Sequence, residues 1–398
     1  MPTTCSGRFV LAFLAFVGRE GFSQQSPPQN PASPPPQASP QPSLTSAIPA
    51  TTVFGDVSLS GYVDLYYQAD FGHPPHLETE TGRWYDINHD SYQFAAAEFD
   101  IARTPTHPKP FGFAVTVLEG SNSSILASTE PSGRRSYKDF AQAYVTYLVP
   151  VKPVTTIDFG KWYAFVGYEG LDSRSQDNYS RSFTFTSMEP DYMTGFRFTS
   201  ALTSNLTVNA YLYQGYNEVQ NSNSTIMTGA GATYAFTPKL TATLQGYNGK
   251  ESDDRKNDVG TYGGIGFPTP GASWVTQENL VVVYQQNSRD KFAFDGTYAS
   301  AVDKGVWNGE AVYYRRQFDS RNAGCLRVER AEDDDGLRFY NGDMTLHSLT
   351  GTYDFAVNQY ILLRFELRHD VASLPFFDSS NGLAKQRTTL TFAQIIKF

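Results

Sequence analysis

Thr388-Thr-Leu-Thr-Phe-Ala-Gln-Ile-Ile-Lys-Phe398 is the stretch whose reading decides the fold. Leu390, Phe392, Ile396 and Phe398 fall on one side of a period-two strand, and Thr389, Thr391 and Lys397 fall on the other. Gln394 alone interrupts the apolar side. Side chains of a strand alternate between two faces, so such a segment buries one face and wets the other.

The same period recurs upstream. Val57, Leu59, Gly61, Val63, Leu65 and Tyr67 alternate with Ser58, Ser60, Tyr62, Asp64, Tyr66 and Gln68. Leu206, Val208, Ala210 and Leu212 alternate with Thr207, Asn209, Tyr211 and Tyr213. Leu240, Ala242 and Leu244 alternate with Thr241, Thr243 and Gln245. Ile361, Leu363, Phe365 and Leu367 alternate with Arg364, Glu366 and Arg368. Helical periodicity is scarce.

Connections alternate in length. Short turns fall at residues 203–205, 237–239, 287–290 and 356–358, and long polar or Gly-rich segments near 71–90, 120–137, 164–190, 249–275, 332–343 and 371–386. Short turns on one side and long loops on the other are the habit of bacterial outer-membrane barrels, which close with even strand numbers. The expected fold is all-β: a transmembrane antiparallel up-and-down β-barrel of about sixteen strands, within fourteen to eighteen. The strands around residues 305–316 are not placed by this pattern. A barrel of that size encloses a water-filled channel.

Composition agrees. Aromatic residues are 15% of the chain, with 25 Tyr and 29 Phe, yet mean hydropathy is −0.39. Alternation between a lipid face and a wet lumen produces that combination. Net charge is −9, which disfavours nucleic acid as a partner. Energy assigns the faces as well as pattern does, because Arg on the lipid face at mid-membrane costs roughly 2–4 kcal/mol. Arg364, Glu366 and Arg368 therefore belong inside, as do Arg327 and Glu329 beside Leu326 and Val328, and Arg197 between Phe196 and Phe198. These six are the expected pore-lining residues.

The N-terminus reads as an export signal over residues 1–23, with Arg8, an apolar run from Phe9 to Val17, and Gly21-Phe-Ser23 before the cut. Residues 24–52, rich in Pro, Gln and Ser, read as a disordered periplasmic linker, with peptidoglycan or protein binding as the alternative. Residues 53–398 then form the barrel. Cys5 leaves with the signal and Cys325 has no partner in its own chain.

Two segments carry a family resemblance. The first runs Asp158-Phe-Gly-Lys-Trp-Tyr-Ala-Phe-Val-Gly-Tyr-Glu-Gly-Leu-Asp172, followed by Asn178-Tyr-Ser-Arg-Ser182 and Thr194-Gly-Phe-Arg197. The second runs Leu326-Arg-Val-Glu-Arg-Ala-Glu-Asp-Asp-Asp-Gly-Leu-Arg338, with Leu362-Leu-Arg-Phe-Glu-Leu-Arg368 and the terminal strand. Both resemble the OmpL-like β-barrel porins of Gram-negative bacteria, over most of residues 55–398. The first strands and the Pro-rich start depart from the family pattern. The resemblance implies an outer-membrane porin passing small hydrophilic solutes or ions by diffusion, with no cofactor. It implies contact with outer-membrane lipid and lipopolysaccharide, and Phe398 as the signal for the barrel assembly machinery. Analogy with general porins suggests a homotrimer.

Residues 165–191 form a long charged loop between two strands, with Glu169, Asp172, Arg174, Asp177, Arg181, Glu189 and Asp191. A loop folded into the channel would set opposed charges across a constriction, whereas an external loop would leave them solvated. Glu332-Asp-Asp-Asp335 and Glu251-Ser-Asp-Asp254 lack the spacing of a twelve-residue calcium loop and read as solvated mouth charge or as divalent-bridged contacts to lipid A phosphates. His73, His76, His89, His107, His347 and His369 show no His-Glu-x-x-His spacing, and no Gly-x-Ser-x-Gly elbow occurs, so no metal or catalytic residue is assigned. The competing readings are a non-conducting barrel serving as adhesin or scaffold, and a secreted soluble β-rich carbohydrate-active protein. A gated siderophore transporter is disfavoured because no plug-like pattern precedes the strands.

Overall fold

The structure, a computed structural model, describes residues 51–53, 55–75, 82–128, 139–221, 225–251, 273–339 and 342–398. The expected signal and all but the end of the Pro-rich linker lie outside the described residues. So do residues 252–254 of the second acidic segment and His76.

A short strand β1 (Thr51–Val53) leads into β2 (Val57–Asp70), β3 (Tyr92–Arg103) and β4 (Phe111–Glu119). Helix α1 (Ser121–Ser128) follows, then β5 (Phe140–Val149), β6 (Val154–Tyr163), β7 (Tyr192–Ala201) and β8 (Leu206–Tyr213). Next come β9 (Met227–Thr237), β10 (Leu240–Glu251), β11 (Ser273–Gln285), β12 (Asp290–Ala301) and β13 (Gly305–Gln317). The chain closes with β14 (Asn322–Asp333), β15 (Met344–Ala356), β16 (Ile361–Ala372), a small hairpin β17 (Phe377–Ser379) and β18 (Gly382–Ala384), and β19 (Gln386–Lys397).

Each strand from β2 to β16 pairs antiparallel with the next, β16 pairs with β19, and β19 returns to β2. The result is a closed sixteen-strand barrel without free edges, the one way an extended backbone satisfies itself in lipid. The faces fall as energy demands. Leu326, Val328, Phe365, Leu367, Leu390 and Phe392 are exposed on the outside, while Arg327, Glu329, Arg364, Glu366 and Arg368 are buried within. Tyr284, Phe292 and Tyr314 stack in a row on the outer face near the short-turn end, where an aromatic girdle meets the membrane interface.

Two boundaries differ from the sequence reading. Pairing begins at Thr51 rather than after the linker, because β1 pairs with Val57–Leu59 on the edge of β2 that β19 occupies further along. The unplaced region 305–316 is β13, a full strand. It was illegible for two reasons. Residues 302–304 make a tight turn on the side where the other connections are long, with Asp303 at φ 58°. Tyr313-Tyr-Arg-Arg316 also puts the same two residue types on both faces.

The seam depends on Gly61. Gly61 N donates to Phe398 O at 2.9 Å and Phe398 N to Gly61 O at 3.0 Å, while a Cβ at residue 61 would strike both the Glu98 carbonyl oxygen of β3 and the Phe398 ring. Phe99 packs on that ring at 6.3 Å between centroids. Gly61→Val is therefore expected to push the ring off the seam at a cost of about 1–3 kcal/mol, as overpacking does. A lowered fraction of the compact, heat-modifiable form after refolding is the expected readout; an unchanged fraction would show that the seam tolerates a side chain there.

Candidate functional site in the lumen

The connection between β6 and β7, residues 164–191, lies inside the barrel and is buried over most of its length. It leaves the wall beside two facing glycines, Gly160 and Gly195, at φ 142° and 154°. A Cβ on either would strike a backbone carbonyl of the adjoining strand, Ala143 O or Leu212 O, so no larger residue fits. One turn of π-helix, Thr184–Met188, sits within the loop.

A buried loop must find partners for every backbone amide and carbonyl, since each left unpaired costs about 1–3 kcal/mol. Here charged wall side chains supply them. Glu366 accepts from Tyr179 N at 2.6 Å and Ser180 N at 2.9 Å, and Glu329 accepts from Phe183 N at 2.6 Å. Arg327 donates to Ser180 O at 2.7 Å and pairs with Glu169 at 2.8 Å. Arg364 donates to Gln176 O and Asn178 O while paired with Asp354 at 2.7 Å. Arg368 donates to Arg181 O at 2.6 Å and pairs with Asp370 at 2.7 Å. These five wall residues project inward, and the loop covers them. Arg197, also buried, pairs with Asp158 at 2.7 Å and lies 4.0 Å from the ring centroid of Phe165.

The seven charged loop residues separate into two groups. Glu169, Asp177, Arg181, Glu189 and Asp191 are buried. Asp177 pairs with Lys291 at 2.8 Å and accepts from Tyr168 Oη at 2.6 Å. Glu189 accepts from Asn279 Nδ2 and Thr297 Oγ1, and Arg181 donates to the loop's own carbonyls of Gly170, Leu171 and Tyr179. Asp172 and Arg174 alone keep partial contact with water, at side-chain exposures of 21% and 20%. The five buried charges of the loop are held by direct pairs and hydrogen bonds to the wall and to the loop itself.

Several residues of this site were missed. Lys291 and Asp295 sit inside, opposite the outward Phe292 and Phe294, and the cost of a charge in lipid applies to them as it does to Arg364. Arg83 enters from the first long loop to pair with Asp370 at 3.0 Å and Asp86 at 3.0 Å. No periodicity marks it. Asp333, from the first acidic segment, accepts from the amides of Leu337, Arg338 and Phe339, so it caps a loop. Glu251 accepts from Tyr216 N at 2.9 Å. Among the described residues no cluster of His, Cys, Asp or Glu is arranged to hold a metal.

The lumen is lopsided. Inward side chains of β12, β14, β16 and β19 are buried throughout. On the opposite side the inward residues of β8 and most of those on β2 and β10 are buried as well, but Ser58, Ser60, Asp100, Gln142, Tyr144, Thr146, Thr156, Thr199, Thr233 and Thr241 remain partly exposed. Toward the long-loop end the interior is packed, with Trp84, Tyr85, Leu126, Leu171 and Phe185 in one apolar cluster and Trp162, Phe183, Met188 and Trp307 in another.

Residues 56–398 match the family model described as Putative beta-barrel porin-2, OmpL-like. The chain belongs to this family. It is an outer-membrane porin by that membership, and similar solved barrels share its fold. The outer membrane channel DcaP of Acinetobacter baumannii is 12% identical with a TM-score of 0.57, covering 86% of this chain and 97% of that one. OmpT of Vibrio cholerae in its trimer form is 8% identical with a TM-score of 0.54, covering 86% and 99%. The anion-selective porin from Comamonas acidovorans is 10% identical with a TM-score of 0.51, again covering 86% and 99%. No curated protein matches the sequence.

Asp191 gives the porin's loop a pH dependence. Burial pushes its carboxyl from an ordinary 3.8 up to about 7, against hydrogen bonds from Tyr85 and Asn217 and the charges of Arg338 and Lys161. Below about 4 the carboxyl is protonated whether the loop is packed or detached. Between there and about 7 only the packed loop holds the proton, so packing weakens as pH rises through this window and levels off above it. Protection factors across residues 164–191, taken against the intrinsic exchange rate at the same pH, are expected to be higher at pH 5 than at pH 8, and Asp191→Asn should reduce that difference. Equal protection of the wild type at both pH values would contradict this.

Proposed function

We propose that this porin passes small hydrophilic solutes and ions by diffusion between loop 164–191 and the wall formed by β2 to β10, with the loop as the constriction. The observation that carries the reading is the lopsided lumen. Water reaches Ser58, Ser60, Asp100, Gln142, Thr146, Thr156, Thr199, Thr233 and Thr241, on β2, β3, β5, β6, β7, β9 and β10, whereas the opposite wall is sealed under the loop. Hydroxyl and amide groups exchange hydrogen bonds with a hydrated solute without holding it, which suits passage more than binding.

Homotrimer assembly belongs to the same reading, supported by the trimer form of the Vibrio cholerae neighbour. Lipid and lipopolysaccharide at the outer face, the assembly machinery at Phe398, and residues 1–23 and 24–52 as signal and linker are proposed with it. The second reading, a non-conducting scaffold or adhesin, draws on the apolar packing toward the long-loop end.

Single-channel recording of refolded protein in planar bilayers separates the two. The porin reading expects stable conductance steps that grow when residues 170–188 are replaced by a short Gly-Ser linker. A correctly inserted, heat-modifiable barrel that passes no current in either form would leave the scaffold reading in its place.

A further inference from the structure

The turn Asp172-Ser-Arg174 is where the inward loop reaches across to β3, at the edge of the water-exposed lumen. Arg174 Nη2 lies 3.1 Å from Glu98 Oε1, 2.8 Å from Asp100 Oδ2 and 2.9 Å from Asp172 Oδ2. Its Nε donates to Asp172 Oδ1 at 2.9 Å, and its guanidinium stands 4.9 Å from the ring centroid of Tyr62. Nη2 is thus shared between the loop and the wall, while Nε fixes the guanidinium to the loop's own Asp172.

We infer that Arg174 is a specificity-determining residue, a latch that sets both the width and the ionic preference of the passage. The inference rests on the porin reading and deepens it. Two observations combine. First, the carboxylates on β3 are held in place without Arg174. Asp100 accepts from Thr116 Oγ1 at 2.8 Å and Ser60 Oγ at 3.3 Å, and Glu98 accepts from Tyr163 Oη at 3.0 Å. Removing Arg174 therefore frees the loop turn and leaves the wall charges where they are. Second, Arg174, Asp172 and Asp100 are each about a fifth exposed, with Glu98 directly behind them, and other charged pairs of the loop are sealed. Three carboxylates stand at that point against two cations, the guanidinium and Lys397 on the adjoining β19, which is paired with Tyr62 of β2. An excess of negative charge on a water-filled constriction enriches cations and repels anions.

Width and charge are separable by substitution. Arg174→Gln removes both the tether and the positive charge. Arg174→Lys keeps the charge but loses the Nε arm that binds Asp172 and the longer reach of the guanidinium, which loosens the tether. Asp100→Asn with Glu98→Gln removes wall charge and leaves the loop's own Asp172–Arg174 pair intact.

Reversal potentials in a KCl gradient, together with single-channel conductance, test the assignment. The wild type is expected to reverse on the K⁺ side of zero. Arg174→Gln should conduct more and reverse closer to the K⁺ equilibrium potential. Arg174→Lys should conduct more with little change in reversal potential, and the Asp100→Asn, Glu98→Gln pair should move toward zero. If Arg174→Gln does not insert, the Lys variant and the carboxylate pair carry the test. A conducting wild type whose reversal potential prefers Cl⁻, or is unmoved by all three changes, overturns the latch while leaving the porin reading standing. Absence of current from the inserted wild type would count against the porin reading itself.

Discussion

Amides and carbonyls of loop 164–191, buried inside the barrel, end on charged side chains of the wall, and the remaining features of the lumen follow from that pairing. Neither partner is stable there alone. Arg327, Arg364 and Arg368 sit in a nearly dry interior, where removing one partner of a buried ion pair typically costs about 3–5 kcal/mol. Loop backbone in the same place would be left without water. Glu366 and Glu329 receive three of its amides, and the arginines receive its carbonyls. The acidic partners Asp354, Asp370 and Glu169 balance the guanidinium charges. The loop is accordingly a structural part of one side of the barrel.

That attachment is one-sided, and the functional reading depends on it. β12 to β19 spend their inward charges on the loop, so the passage is left to the partly exposed inward residues of β3, β5, β6, β7, β9 and β10, among them Asp100, Gln142, Thr146, Thr156, Thr199, Thr233 and Thr241. Thr233 on β9 and Thr199 on β7 stay partly exposed along the wall where the loop does not lie. The charged residues that still meet water cluster at the Asp172–Arg174 turn. Conduction, its width and its ionic preference would all be decided there, a short stretch of chain remote from the charge ladder that the sequence makes conspicuous.

Much of the barrel was legible because one energetic rule acts on each strand separately. Leu363 and Arg364, or Leu326 and Arg327, declare their faces without reference to any neighbour. The rule fails where its contrast vanishes, as in Tyr313-Tyr-Arg-Arg316, and where a tight turn at 302–304 replaces a long loop. The site was legible only in part. A long charged segment at 165–191 could be recognised, but nothing in its spacing tells that Tyr179 N meets Glu366 across 187 positions of sequence. The inward direction of Arg327 follows from its own strand, whereas its burial is decided by a loop docking from elsewhere. Arg83 belongs to no periodic element, so its pairing with Asp370 left no trace in the pattern.

The most direct test of the lopsided lumen is the reactivity of single engineered cysteines toward a charged, water-soluble maleimide in the folded, detergent-solubilised protein. Thr233→Cys on β9 and Thr350→Cys on β15 both place a thiol on the inner wall. The native Cys325 is buried, and Cys5→Ser removes the other background thiol. Rapid labelling at position 233 with protection at 350 until the protein is denatured is the predicted result. Equal labelling at both positions would mean that the loop does not seal the charged wall, and would contradict the account.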